Sequence, residues 1–138
     1  MLVIDASMAL SWVFERQQPE DAQRASRLLS VCGSEPWWVP ALWHLEVANA
    51  LLVAERRGVI AGSGSDLFLA RLRALPIETD ATPLQDAEPR ILAIARTQGL
   101  SSYDATYLEL AQRLGASLAS FDRRLNEAAQ RLDVALAP

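Results

Sequence analysis

Short apolar runs alternate along this chain with longer stretches in which apolar residues recur every three or four positions. Leu2 to Ile4 is a brief, partly β-branched run closed by Asp5, which predicts a buried strand. A helix is expected next, capped by Ser7. After Pro19 the residues Ala22, Ala25, Leu28 and Leu29 repeat at helical spacing up to Gly33. In "EPWWVPALWHLEVANALLVAERRG", Pro40 stands at a helix start, the periodicity runs through Val53, and Arg56, Arg57 and Gly58 form the stop. "AGSGSD" predicts a turn in which Ser63 or Ser65 caps a helix from Asp66 to Leu75, ended by Pro76. "PIETD" predicts a short strand. Pro83 opens a helix through Ile91, Leu92 and Ala95 to Gly99, and "SSYDATYLELAQRLG" predicts another ending on Gly115. "ASLASF" is expected as a buried strand, "DRRLNEAAQRL" as a helix, and Val134 to Leu136 as a last apolar piece. Such alternation predicts an α/β fold with a mostly parallel sheet covered on both faces, in a single domain over residues 1–138.

In an open sheet of this kind ligands sit beyond the carboxyl ends of the strands, near a switch in strand order. Asp5 ends the first strand there, and Asp122 stands just past the last one. Glu46 is flanked at helical spacing by Leu42, Trp43, Asn49, Ala50 and Val53, so it lies on or beside an apolar face with no basic residue within a turn. An unpaired buried carboxylate costs several kcal/mol, so something else must stabilise it. Asp104 opens a further helix beside Ser101, Tyr107 and Leu108. Taken singly, Asp5, Asp104 and Asp122 also read as parts of helix caps, and Glu46 as the partner of a distant arginine. Caps do not explain why four acids should converge. A hard divalent cation does, because Mg²⁺ or Mn²⁺ prefers carboxylate oxygens and relieves the repulsion between them. Ser7 and Ser120 are then placed to orient carboxylates or waters.

Composition narrows the options. Of 138 residues, 51% are hydrophobic and 22% charged, the balance of a packed domain. No apolar run approaches the roughly 18 residues of a membrane span, the start does not resemble a signal peptide, and the single cysteine, Cys32, has no internal partner. The cytoplasm is the expected location. All 13 basic residues are arginine, which removes chemistry that needs an ammonium group, such as a Walker phosphate loop or a Schiff base. A net charge of −4 rules against a broad basic nucleic-acid surface, so any such contact is local. Arg123 and Arg124, beside Asp122, are candidates for it, as are Arg56 and Arg57; the bland alternative is a solvated helix face. His44, the only histidine, is expected to be packed or exposed rather than catalytic, and the four tryptophans, Trp12, Trp37, Trp38 and Trp43, to divide between core and a partner-receiving patch.

The order and spacing of "VIDAS", "PALWHLEVANAL" and "LSSYDATYLELAQRLGASLASFDRRL" resemble the PIN domain family, and within it the VapC-type toxins of bacterial toxin–antitoxin pairs. The family's acidic quartet falls on Asp5, Glu46, Asp104 and Asp122; Asn49 matches a position that is often polar, and Ser120 the hydroxyl before the last aspartate. The resemblance implies a three-layer α/β/α sandwich and an Mg²⁺-dependent endoribonuclease, with Mn²⁺ as a substitute, cutting transfer or ribosomal RNA. It also implies a cognate antitoxin and a homodimer. Alternatives that stay open are a PIN-like binding module without turnover and a nuclease for single-stranded DNA. A receiver domain or a haloacid-dehalogenase-like phosphatase would need a lysine that the chain lacks.

Overall fold

The computed structural model describes residues 1–31, 33 and 35–137. Among them are four strands, β1 (Leu2–Ile4), β2 (Trp37–Val39), β3 (Ile77–Thr79) and β4 (Ser117–Ala119). The helices are α1 (Ala6–Leu10), α2 (Pro19–Ser30), α3 (Leu42–Arg56), α4 (Gly62–Leu72), α5 (Leu84–Gln98), α6 (Ser102–Leu114) and α7 (Arg123–Arg131). The strands form one parallel sheet in the order β3-β2-β1-β4, with Leu2 opposite both Trp37 and Ser117. The chain lays β2 and β3 on one side of β1 and then crosses back to place β4 on the other. The switch in strand order therefore falls between β1 and β4; Asp5 directly follows β1, and Asp122 stands three residues past the end of β4.

A parallel sheet flanked by helices has no solvated face, and the central strands show it: Val3, Ile4, Leu118 and Ala119 are fully buried. The helix α6 packs against β1, β4, α5 and α7. Its residues Ala105 to Ala111 are buried all round, including Glu109. That acid is neutralised from two sides, by Arg90 of α5 at 2.8 Å and by Arg113 at 2.9 Å, while Arg113 also grips Asp80 at 2.6 Å. Burial works to raise the Asp80 pKa, but the Arg113 hydrogen bonds and charge overcome it and hold the carboxyl below its ordinary range. Gly99 and Gly115 end α5 and α6 with φ of 65° and 60°, the left-handed conformation in which a residue without Cβ is unstrained.

Several elements differ from the sequence reading. Trp37–Val39 forms β2, which periodicity did not reveal because its three residues run straight into the helix signal at Pro40. Ser7 does not cap α1; it lies inside that helix, and Asp5 takes the N-cap position without a side-chain cap bond. Neither Ser63 nor Ser65 caps α4, which begins at Gly62 behind Ala61 and ends at Leu72, with Ser65 buried in it. The terminal piece contributes a single parallel bridge, Leu136 to Leu118. Cys32 lies outside the described residues. No helix among those described is long and apolar enough to cross a membrane.

Candidate active site

The rim at the carboxyl ends of β1 and β4 is assembled by hydroxyl groups. Ser7 Oγ and Ser120 Oγ both donate to Oδ2 of Asp5, at 2.6 and 2.7 Å, and the backbone N–H of Asp122 donates to Ser120 Oγ at 2.9 Å. The Phe121 N–H in turn donates to Ser7 Oγ at 2.9 Å. One short relay thus ties the end of β1 to the end of β4. The carbonyl of Ser120 is held from outside by Arg24 Nη1 at 3.1 Å and Asn126 Nδ2 at 3.0 Å, and Arg24 and Arg16 both lie over the Phe121 ring. Asp5 is 8% exposed and Ser120 not at all. Burial pushes the Asp5 pKa up, the two serine hydroxyls and the Ala6 N–H counter it, and the charge of Asp122 pushes it up again.

The other acids arrive from helices. Glu46, half-buried on α3, accepts a short hydrogen bond from the Tyr107 hydroxyl to Oε2. This tyrosine replaces the distant arginine considered as its partner. Burial raises the Glu46 pKa, the Tyr107 bond opposes it, and the charges of Asp5 and Asp104 raise it further. Asp104 stands in the first turn of α6, where Ser101 Oγ accepts its backbone N–H at 3.1 Å. Its carboxyl is also raised by burial, lowered by Ser101, raised by Asp122 and Asp5, and eased by Arg124. Asp122 caps α7, with Oδ1 accepting the Leu125 N–H at 2.8 Å.

These fields overlap, so the fold brings Asp5, Glu46, Asp104 and Asp122 to one rim. None of the four takes part in an ion pair among the described residues. An all-oxygen, mutually repelling and uncompensated set is the donor chemistry of a hard divalent cation. It does not stand as a closed shell, since among the described residues no three His, Cys, Asp or Glu side chains are drawn together tightly enough to hold an ion.

The remaining sequence candidates divide. Asn49 is exposed one turn beyond Glu46. Arg124 donates to the Gly99 carbonyl at 3.0 Å, and Arg123 makes only a loose, exposed pair with Glu127 at 3.6 Å. Arg56 and Arg57 are exposed at the end of α3. His44 Nε2 pairs with Thr79 Oγ1 at 2.7 Å, away from the acids. Trp37 and Trp43 are core, and Trp12 and Trp38 pack partly buried against it. Sequence reasoning passed over Tyr107 and Arg24 as site residues. The signal for Tyr107 was available, since it follows Asp104 by three positions and shares its helix face.

A parallel three-layer α/β/α fold with an acidic rim at its strand switch defines the class. The chain belongs to the PIN domain family, whose model matches residues 2–131. Among curated proteins, Ribonuclease VapC3 of Pyrobaculum aerophilum is 32% identical over 121 residues, spanning 85% of this chain and 86% of that protein. Among solved structures, FitAcB of Neisseria gonorrhoeae shares the fold at a TM-score of 0.67 and 18% identity, over 100% of this chain and 97% of that one. PAE2754 of Pyrobaculum aerophilum does so at 0.65 and 23%, over 92% and 78%. FitAB bound to a DNA fragment is similar at 0.64 and 19%, over 99% of this chain and 94% of that one.

Proposed function

We propose that this chain is a divalent-cation-dependent endoribonuclease, the toxin of a toxin–antitoxin pair. The observation that carries the reading is the convergence of four carboxylates, from two strand ends and two helices, on one rim without an ion-paired partner. The relative named as a ribonuclease aligns over most of both chains and supports the reaction class. Asp5, Asp104, Asp122 and Glu46 are the residues to hold Mg²⁺, or Mn²⁺ in its place. When bound, such a cation supplies Lewis acidity toward a phosphodiester and lowers the pKa of a coordinated water.

The protein's own part is positioning. Ser7 and Ser120 fix which way the Asp5 carboxylate faces, the Leu125 N–H fixes Asp122, and Ser101 fixes the start of the helix that carries Asp104. No side chain is required as a covalent nucleophile. Arg123 and Arg124 steady the RNA backbone beside the acids, since both follow Asp122 directly in a chain of net charge −4 and the Arg124 charge acts on Asp104. A cognate antitoxin silences the site by inserting a segment against it, and two copies pair as a homodimer.

The test is cleavage of total transfer and ribosomal RNA by purified protein with Mg²⁺ or Mn²⁺, beside EDTA and Asp104→Asn, with single-stranded DNA as competitor. Discrete products that vanish with EDTA and with the substitution are expected. Cleavage that persists in EDTA or in the variant refutes the metal assignment. Metal binding without products makes the chain a binding module, and suppression by DNA moves the substrate class.

A further inference from the structure

Tyr107 stands where two of the four acids meet. Its side chain is fully buried in α6, one turn beyond Asp104. Its hydroxyl donates to Glu46 Oε2 on α3, and the Asp5 charge and the Ala6 N–H at the start of α1 both act on the same phenol oxygen. That hydrogen bond joins α6 to α3 beside the end of β1.

The pattern of commitments around it is regular. Oδ2 of Asp5 takes both serine hydroxyls, Oδ1 of Asp122 takes the Leu125 N–H, and Oε2 of Glu46 takes Tyr107. In each of these acids one named oxygen is bound by the protein. Glu46 differs from the aspartates in having a longer side chain on a helix face, with more rotamers to lose, and Tyr107 is the group that fixes it.

We infer that Tyr107 is a positioning residue for the candidate cation site: by holding Oε2 it fixes the Glu46 carboxylate and turns its other oxygen toward the rim. The inference rests on the reading given under Proposed function. Partners that orient metal-binding carboxylates are commonly worth about 10–100-fold in metal affinity. Tyr107→Phe removes the hydroxyl and keeps the buried ring, so the core volume is unchanged.

The experiment is calorimetric titration of Mn²⁺ alone into the whole protein, with no RNA, for wild type, Tyr107→Phe, Glu46→Gln and the double variant, with thermal melts in EDTA to compare the folds. The expected result is Mn²⁺ binding weakened about tenfold or more by Tyr107→Phe, with little further loss when it is added to Glu46→Gln, as required if the tyrosine acts through that carboxylate. Unchanged affinity in Tyr107→Phe overturns the inference, and so does an equal loss in both backgrounds, the mark of a general packing role. Failure of the wild type to bind Mn²⁺ overturns the metal reading itself, and this inference with it.

Discussion

Replacing Asp104 by asparagine is expected to abolish cleavage and, in EDTA at neutral pH, to make the protein more stable. The charged form of this carboxyl is disfavoured in the folded state: burial raises its pKa above the ordinary 3.8, Ser101 lowers it, Asp122 and Asp5 raise it, and Arg124 opposes them. The net direction is up, and linkage sets the sign. Below pH 3.8 the group is protonated in folded and unfolded chains alike. As pH climbs, the unfolded chain releases its proton first, so stability falls until the folded group has ionised as well. Asparagine never enters that window. Relief of one unfavourable charge typically gives roughly 0.5–2 kcal/mol; the lost interaction with the positive end of α6 takes back about 0.3–1 kcal/mol, and solvent on the outer side of the group screens both. The net gain is about 0.6 kcal/mol, or roughly 2 °C in Tm for a chain of this size. Thermal melts of both proteins in EDTA, stepped from neutral pH down toward 3.8, read it directly. With Mn²⁺ at about 100 times its Kd the order inverts, because the wild type alone gains about 2.7 kcal/mol. A variant less stable than wild type in EDTA at neutral pH, or a gain that persists undiminished in acid, refutes the reasoning.

Ser120→Ala removes the hydroxyl that donates to Asp5 and leaves the Asp122 N–H without its acceptor; it is expected to cost about 2 kcal/mol, and an unchanged urea midpoint would show the relay to be idle. Arg113→Ala strips Asp80 of its partner and leaves the buried Glu109 with Arg90 alone, for an expected loss of about 3 kcal/mol. Because the Asp80 pKa is lowered in the fold, its contribution is present above its ordinary value and lost as pH falls through the folded one. The deficit of Arg113→Ala should therefore shrink in acid, and a deficit independent of pH would contradict the pairing. Arg123→Ala with Arg124→Ala should lower the slope of log RNA affinity against log salt by up to about 1.4 if both contact phosphates of single-stranded RNA; an unchanged slope leaves them as a solvated face.

The parts legible in the sequence were those in which one physical signal dominated. Strand β1 is an apolar run with a hard stop, and α5 and α6 end on glycines that adopt the left-handed conformation. Strand β2 was missed because the same residues that build it, Trp37 to Val39, adjoin Pro40, and the strong helix periodicity that follows absorbs them. The isolation of Glu46 from any nearby arginine was legible along the helix. Its partner was not, because Tyr107 lies 61 positions away and comes to it only through the packing of α6. The Glu109 cluster was hidden for the same reason: an acid in a helix reads as surface until Arg90 and Arg113 are seen on both sides of it.

Capping is one reading of these acids, and the geometry realises it in part. Asp122 does cap α7, Ser101 does cap the helix that carries Asp104, and Asp5 occupies the N-cap position of α1 while giving its carboxylate to two serines instead. Three of the four acids therefore sit at or within a turn of a helix N-terminus, and the long helices α6 and α7 bring positive dipole ends that favour negative charge. Glu46 has no helix terminus beside it, standing in the second turn of α3, and it is the acid to which the fold supplies a buried phenol. Local positive potential at three acids and a hydrogen-bond donor at the fourth let the chain gather like charges on one rim with none of the four in an ion pair among the described residues, which is the arrangement the proposed cation requires.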